Sequence, residues 1–410
     1  ELEQTVVNFS INGDLTELPA GFMQFAAGLE YRQEKSESTP DEILLAGGLT
    51  QKTYLGGKAK VKGDYDVAEV FAEFLIPLVS DAAYMEDLTF EAAVRYSDYS
   101  TVGGQTSYKF GLDWVVNDEL RLRSSYGLAI RAPNVGELYQ PEATTLSKIT
   151  DPCSAPNIAT GPNTDVRKAN CAALGIPEGW VSFSDGGEVP IKVSGNEELQ
   201  AEESTSKTFG IVFTPDAIDG FSLALDYWDI QIDDAISTPS NNEILNNCVD
   251  FDMSGNPFCE LAQRNNESHV LDFLRNRRVN VSALSASGYD VEMNYLVDLE
   301  SSGTLLFNVV GSYYDKRNQL LNANKPDEVL EMVGMVNNPK TRANFNLTYS
   351  VNDWAAHLSL NYLGSSRIAF TDETAADPVY PSNHIDSVVY ANFRGNFNLS
   401  TNMNIYAGVN

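Results

Sequence analysis

The sequence has little positive charge: 27 Lys and Arg stand against 57 Asp and Glu, which leaves a net charge of −30 and a pI near 4.3. Nucleic acid is excluded as a partner, because a phosphate backbone needs a basic face. Long apolar runs are missing too. A membrane-spanning helix needs about 18 consecutive apolar residues, and the best stretch, Phe74 to Val79, is far shorter and contains Pro77. Histidine is scarce: His269, His357 and His384 are scattered singly, and the four cysteines form no C-x-x-C. A Cys/His metal site therefore lacks its ligand spacing. Asp250, Asp252, Ser254 and Gly255 resemble the first half of a calcium loop, but Leu261 stands at the twelfth position, where a bidentate Glu is needed. With no G-x-S-x-G, P-loop or H-E-x-x-H, an enzyme reading has no nucleophile, phosphate loop or metal, and no cofactor is expected.

Disorder is also excluded. Aromatics reach 10%, hydrophobic residues 43%, and only 20% of residues are charged, whereas disordered acidic chains are poor in aromatic and β-branched residues. The periodicity that these residues follow is two. Leu88, Phe90, Ala92, Val94 and Tyr96 alternate with Thr89, Glu91, Arg95 and Ser97. Tyr108, Phe110, Leu112 and Trp114 alternate with Ser107, Lys109 and Asp113, and Leu120 and Leu122 alternate with Arg121 and Arg123. Strands of soluble sandwiches run about 5–6 residues; many runs here reach the length that a tilted strand needs to cross a bilayer. About fourteen strands are expected, the opening one a short strand near 4–12 and the rest between 23 and 410. The fold class is all-β: a transmembrane antiparallel β-barrel.

The connections sort by parity. Odd-numbered ones are short, while five of the six even-numbered ones are long, at 33–64, 132–202, 235–283, 317–340 and 367–385. Outer-membrane barrels show this asymmetry, with tight periplasmic turns and long extracellular loops. Cys153 and Cys171 lie in one long polar loop, Cys248 and Cys259 in another. Four cysteines allow three pairings; pairing within each loop is the lowest-cost expectation and suits an oxidising compartment. Loop 132–202 is acidic, with ten carboxylates against Lys148, Arg167, Lys168 and Lys192.

Five local stretches then carry a family resemblance. They are Arg131-Ala132-Pro133-Asn134 with Glu137-Leu138-Tyr139; Asn196-Glu197-Glu198-Leu199 with Glu202, Ser204 and Gly210; Asp226-Tyr227-Trp228-Asp229-Ile230 with Ile232-Asp233-Asp234-Ala235-Ile236; Asn280 with Gly288-Tyr289-Asp290; and Asn404 to Asn410. In this order they resemble the barrel of a TonB-dependent receptor of the Gram-negative outer membrane. The resemblance implies a 22-stranded barrel around a plug domain, in a receptor that captures a scarce ligand outside and draws energy from the TonB complex through that plug. No plug or TonB box is recognisable in residues 1–410, and both ends read as cut, so the chain is expected to be a portion of a longer receptor in contact with outer-membrane lipid.

Candidate ligand contacts are the loop aromatics Tyr139, Trp180 and Trp228, with Arg131 at the strand end; Phe183, Phe251, Phe258 and Phe370 are further loop aromatics. Inward polar positions are Glu91, Arg95, Lys109, Arg121, Arg123, Asp290, Glu292, Arg342 and Arg394, which line a water-filled lumen whether or not they touch solute. The Cys-bearing loops resemble those of oligosaccharide importers, and an acidic mouth repels an anionic ferric complex. The expected solute is therefore an oligosaccharide, with a ferric siderophore as the alternative. A passive fourteen-stranded channel and a non-transporting surface binding module are the rival classes.

Overall fold

The computed structural model describes residues 1–42, 60–161, 163–254, 256–320, 329–368 and 383–410. Fourteen long strands follow one another as antiparallel neighbours in one sheet. They are β1 (Leu2–Leu18), β2 (Gly21–Ser38), β3 (Val61–Ala82), β4 (Met85–Tyr99), β5 (Gly103–Asn117), β6 (Leu120–Arg131) and β9 (Glu202–Phe213), then β10 (Phe221–Ser237), β13 (Val279–Asp298), β14 (Thr304–Leu320), β16 (Thr341–Val351), β17 (Trp354–Leu363), β20 (Val388–Ser400) and β21 (Met403–Val409). A short strand, β15 (Val329–Glu331), adds to β14, and β18 (Ser366–Arg367) pairs with β19 (His384–Ile385). Among the described residues β1 and β21 are sheet edges that do not pair with each other, so a closed fourteen-stranded channel is not what they form.

Each expected strand is present, and the first is longer than expected. Instead of 4–12, β1 runs through Asn12-Gly13-Asp14 and pairs with β2 from Leu2↔Ser36 to Leu18↔Gly21. That tripeptide has the composition of a turn, yet all three residues pair regularly with Ala26, Phe25 and Gln24, and the bulge falls after it, at Leu15 between Asp14 and Thr16. The turn comes instead at residues 19–20. Loop-length parity holds with the observed ends: 83–84, 118–119 and 352–353 are tight, while 132–201 and 238–278 are long. At the tight end Asn117 Oδ1 accepts from the backbone N–H of Glu119 and Leu120.

The sheet has a lipid face and a lumen face because alternation sends the two residue classes apart. Aromatics form continuous rows on the outer face. Tyr227, Tyr289 and Tyr313 sit in register on β10, β13 and β14, with ring centroids 5.2 and 6.4 Å apart. A second row joins Phe221, Tyr295, Phe307 and Phe345. Such cross-strand pairs contribute roughly 0.2–1 kcal/mol each. Outward side chains such as Phe110, Leu225 and Phe393 stay exposed, as they should where lipid covers them. Among the described residues no helix is long and apolar enough to cross a membrane. The sheet has the architecture of a β-barrel wall.

The two Cys-bearing segments, read from the sequence as two separate long polar loops, have regular structure of their own. They fold together. β7 (Ala143–Lys148) and β8 (Glu188–Ser194) come from the first loop, β11 (Ala262–Arg264) and β12 (Leu271–Arg277) from the second, and all four make one sheet in the order β11-β12-β8-β7. The join is a parallel pairing of β12 with β8, Leu274 facing Ile191. Four short helices complete the unit: α1 (Val135–Tyr139), α2 (Thr164–Ala173), α3 (Asn241–Asp250) and α4 (Pro257–Leu261).

Candidate capture and translocation site

The cap formed by these loops has its own core. Ile149, Val189 and Ile191 from the first loop pack with Ile244, Leu245, Val249, Phe258, Leu271 and Leu274 from the second. The disulfides join Cys153 to Cys171 and Cys248 to Cys259, the pairing of lowest cost. Two buried ion pairs cross between the loops. Arg167, 2% exposed, donates from Nε and Nη2 to the two carboxylate oxygens of Asp250 at 2.6 and 2.7 Å. Its remaining donors reach Asn157 O, Thr160 Oγ1 and Asn246 Oδ1. Arg264 donates to both oxygens of Asp151, which is fully buried. A buried charge is tolerated only when its partners are complete, and here they are. Asp250 is thereby held by an arginine, which leaves the calcium-like stretch without a free first carboxylate; its Gly255 lies outside the described residues.

At the root of the cap, the stretches that carried the resemblance converge. Arg131, at the end of β6, makes a bidentate pair with Glu202 at 2.6 Å on both contacts and also donates to Glu137 at 2.9 Å. Glu137 is 6% exposed. It also accepts from the backbone N–H of Asn134 and from Arg278, at the foot of the second loop, while Asn134 Oδ1 accepts from Glu137 N–H, closing a capping box on α1. Asn280 donates to Gln200 O and Asp234 O, and Asn196 donates to Arg278 O. Two carboxylates thus tie these ends through Arg131: Glu137 joins the exit of β6 to the start of β13, and Glu202 joins it to the return into β9. Glu137, Glu202 and Arg278 were not among the expected site residues. The signal available was that Glu137 and Glu202 stood inside the recognised stretches.

The structure gives the four expected ligand contacts different places. The guanidinium of Arg131 is engaged by Glu202 and Glu137. Tyr139 packs on the wall: a Cβ at Gly63 of β3 would come within 2.2 Å of its ring. Burial, then the Glu197 and Asp64 carboxylates, raise its phenol above the ordinary value, so it stays protonated at neutral pH. Trp180 packs against the cap core and meets His269 edge-on, with centroids 6.3 Å apart. Phe258 is inside that core, whereas Phe183 is 94% exposed; Phe370 lies outside the described residues. Trp228 is on the inward face of β10, its ring T-shaped against Tyr314 with centroids 5.5 Å apart, while its neighbour Tyr227 belongs to the outer row.

Below the cap, the inward face of β4 to β13 lines a concavity of about 930 Å³ that includes Glu91, Lys109, Asp113, Arg121, Arg123, Asp226, Trp228 and Asp290. Opposite charges pair across it. Lys109 meets Glu91 at 3.1 Å, Arg121 meets Asp113, and Arg123 makes a bidentate pair with Asp226 at 2.7 and 3.0 Å. Arg95 pairs with Glu69 at 3.1 Å. Asp290 accepts from Ser312, Glu292 from Asn294, and Arg342 donates to Asn337 O. Arg394 lies over the Tyr406 ring, 4.5 Å from its centroid.

Glycines set some of these contacts. Arg123, Gly210 and Asp226 share one register row on β6, β9 and β10, so the ion pair reaches over the middle strand. A Cβ at Gly210 would stand 2.1 Å from Asp226 Oδ1 and 2.8 Å from Arg123 Nε. Gly288 likewise separates Trp228 from Tyr314. Gly210→Val is expected to part Arg123 from Asp226 at a cost of about 1–3 kcal/mol, typical of overpacking. The check is the midpoint of urea unfolding of the folded barrel, compared with Asp226→Asn, which removes only a solvent-screened pair worth about 0–1 kcal/mol.

The family model described as TonB-dependent receptor-like β-barrel matches residues 3–410. Among solved structures, the ferric enterobactin receptor of Pseudomonas aeruginosa, in a complex with enterobactin, aligns with a TM-score of 0.64 at 16% identity, over 99% of this chain and 48% of that one. A siderophore receptor of Acinetobacter baumannii aligns at 0.61 and 14% identity, over 99% and 50%. An iron transporter of Neisseria meningitidis aligns at 0.53 and 14% identity, over 97% and 48%. The chain spans about half the length of these structures.

Proposed function

We propose that this chain, which belongs to the TonB-dependent receptor β-barrel family, forms wall and capture cap of an outer-membrane importer that takes up a scarce, bulky solute. Energy would come from the TonB complex acting through a plug domain of the full receptor. The observation that carries this reading is the cap: two loops folded into one stapled unit, with shared sheet and shared buried ion pairs, standing on a polar lumen wall. A passive pore needs a polar lumen but has no use for a cooperatively folded cover at its mouth. Capture by the cap and passage along the lumen involve binding and release and no covalent step.

For the solute, the named ligands of the structural neighbours support a ferric siderophore ahead of the oligosaccharide expected from sequence. The oligosaccharide is kept as second reading by the acidic cap, whose excess carboxylates oppose an anionic complex. Uptake of labelled ferric siderophores and of maltodextrins by cells carrying the full-length receptor, with and without TonB, decides among the readings. Siderophore accumulation that requires TonB supports the first, and sugar accumulation that requires TonB supports the second. Accumulation regardless of TonB indicates a passive channel, and binding without accumulation indicates a surface binding module.

A further inference from the structure

The inward face changes character along the sheet. On β4 to β10 it is a set of ion pairs whose charges satisfy one another, whereas on β13 to β20 it is dominated by amides. Along one register row Asn294 faces Asn308, Asn308 faces Asn346, Asn346 faces Ser359, and Ser359 faces Asn392. All five side chains are half-buried in this chain and lie on the lumen side, the side that the plug of the full receptor also faces. Three of the amides are joined head to tail. Asn346 Nδ2 donates to Asn308 Oδ1 at 3.1 Å, Asn308 Nδ2 to Asn294 Oδ1 at 2.9 Å, and Asn294 Nδ2 to Glu292 Oε1 at 3.2 Å. An ionised carboxylate only accepts, so Glu292 fixes the direction of the whole chain.

A primary amide has two N–H donors and two acceptor lone pairs. In the interior link, Asn308, the chain uses one of each and leaves one of each, which is the complement of a hydroxyl group. The row itself carries no cation, and an amide contact with solute is individually weak. Many weak contacts in series favour entry without trapping, the requirement for passage through a lumen. The spacing also fits. Strands lie about 4.8 Å apart, so five of them carry the row over roughly 19 Å, with one polar group per step close to the length of a pyranose unit. Because barrel strands tilt by about 35–45°, a row perpendicular to them climbs along the barrel axis.

We propose that the row Asn294–Asn308–Asn346–Ser359–Asn392 is a hydrogen-bonding track for a solute that presents an uncharged face rich in hydroxyl and carbonyl oxygens. The inference rests on the importer reading and holds for either of its solute classes. A neutral oligosaccharide has this chemistry. So has a ferric tris-hydroxamate, in which three singly charged ligands cancel the charge of the iron, whereas a ferric tris-catecholate keeps a net negative charge.

The test uses the full-length receptor in cells with and without TonB, with three probes: maltodextrin, a neutral ferric tris-hydroxamate and an anionic ferric tris-catecholate. In the Asn308→Leu/Asn346→Leu double variant, TonB-dependent uptake of a neutral probe should fall about tenfold, the effect of losing a hydrogen bond at each of two positions. Equilibrium binding to TonB-deficient cells, which reads the cap, should stay within about twofold. Which neutral probe the wild type accumulates identifies the source of the oxygens. Should the double variant fail to assemble, Asn346→Asp provides the second reading. It keeps the size but cannot donate to Asn308, and a similar loss is expected. Unchanged uptake in an assembled variant overturns the track, as does a wild type that accumulates only the tris-catecholate or a loss of cap binding in parallel with uptake. Accumulation that ignores TonB overturns the importer reading and the track together, a result distinct from TonB-dependent uptake that ignores the substitutions.

Discussion

Replacing Arg167 by alanine should unfold the cap and leave the wall intact. The substitution strands Asp250, whose side chain is 1% exposed, without the guanidinium that holds both its oxygens. Breaking a buried pair by removing one partner costs about 3–5 kcal/mol, a large share of the stability of any small unit. The unit at risk is the cap alone, because Arg167 and Asp250 both lie in it and their bond joins its two loops. Limited proteolysis of intact outer membranes should therefore cut Arg167→Ala within 140–200 or 240–275, while the wild type resists and the barrel keeps its heat-modifiable mobility on gels. The double replacement Arg167→Met/Asp250→Leu removes both charges and should recover most of the resistance, since apolar pairs of similar volume often match buried ion pairs. Resistance of Arg167→Ala equal to the wild type would show that the two loops are not held by this pair.

Glu137→Ala should have the second largest effect and act at the root of the cap. The side chain serves Arg131, Arg278 and the backbone N–H of Asn134 at once. Losing the cap bond on α1 costs about 1 kcal/mol, and each charge-assisted bond about 1.5–3 kcal/mol. Because Arg131 keeps Glu202, a net loss of roughly 3 kcal/mol is expected for the anchoring of α1 on β3. Glu137→Gln retains an acceptor and should lose less. The readout is ligand capture by intact cells, which should fall in Glu137→Ala while Glu142→Ala, in the polar rim of the same loop, has no effect. Equal capture by all three variants would show that Glu137 does not anchor the cap.

The wall was legible in the sequence because each strand declares itself locally. Alternation such as Leu88 to Tyr96 needs only its own segment, and lipid on one side with water on the other makes the period clean. Where a local signal had two meanings, the reading failed: Asn12-Gly13-Asp14 is regularly paired strand inside β1, followed by a bulge at Leu15, although it has the composition of a turn. The cap was not legible because its determinants are distant in the chain. Arg167 and Asp250 are 83 residues apart and Arg264 and Asp151 are 113 apart, and the β8–β12 pairing joins two loops separated by two wall strands. In the lumen, alternation places Arg123 on the inner face, but its partner Asp226 is two strands away and reachable only because Gly210 stands between them. A long acidic loop rich in Gly and Pro looks the same in sequence whether or not it finds such partners.

This sheet is expected to span the outer membrane with the cap on the outer surface. Single cysteines at Phe183, in the cap, and at Asp118, in a tight turn at the opposite end of the strands, test it in intact cells with a membrane-impermeant maleimide. All four native cysteines are in disulfides, so they do not compete for the label. Phe183→Cys should label at once, and Asp118→Cys only after the outer membrane is breached. Immediate labelling at Asp118, or none at Phe183 until the membrane is opened, would contradict a cap on the outer surface.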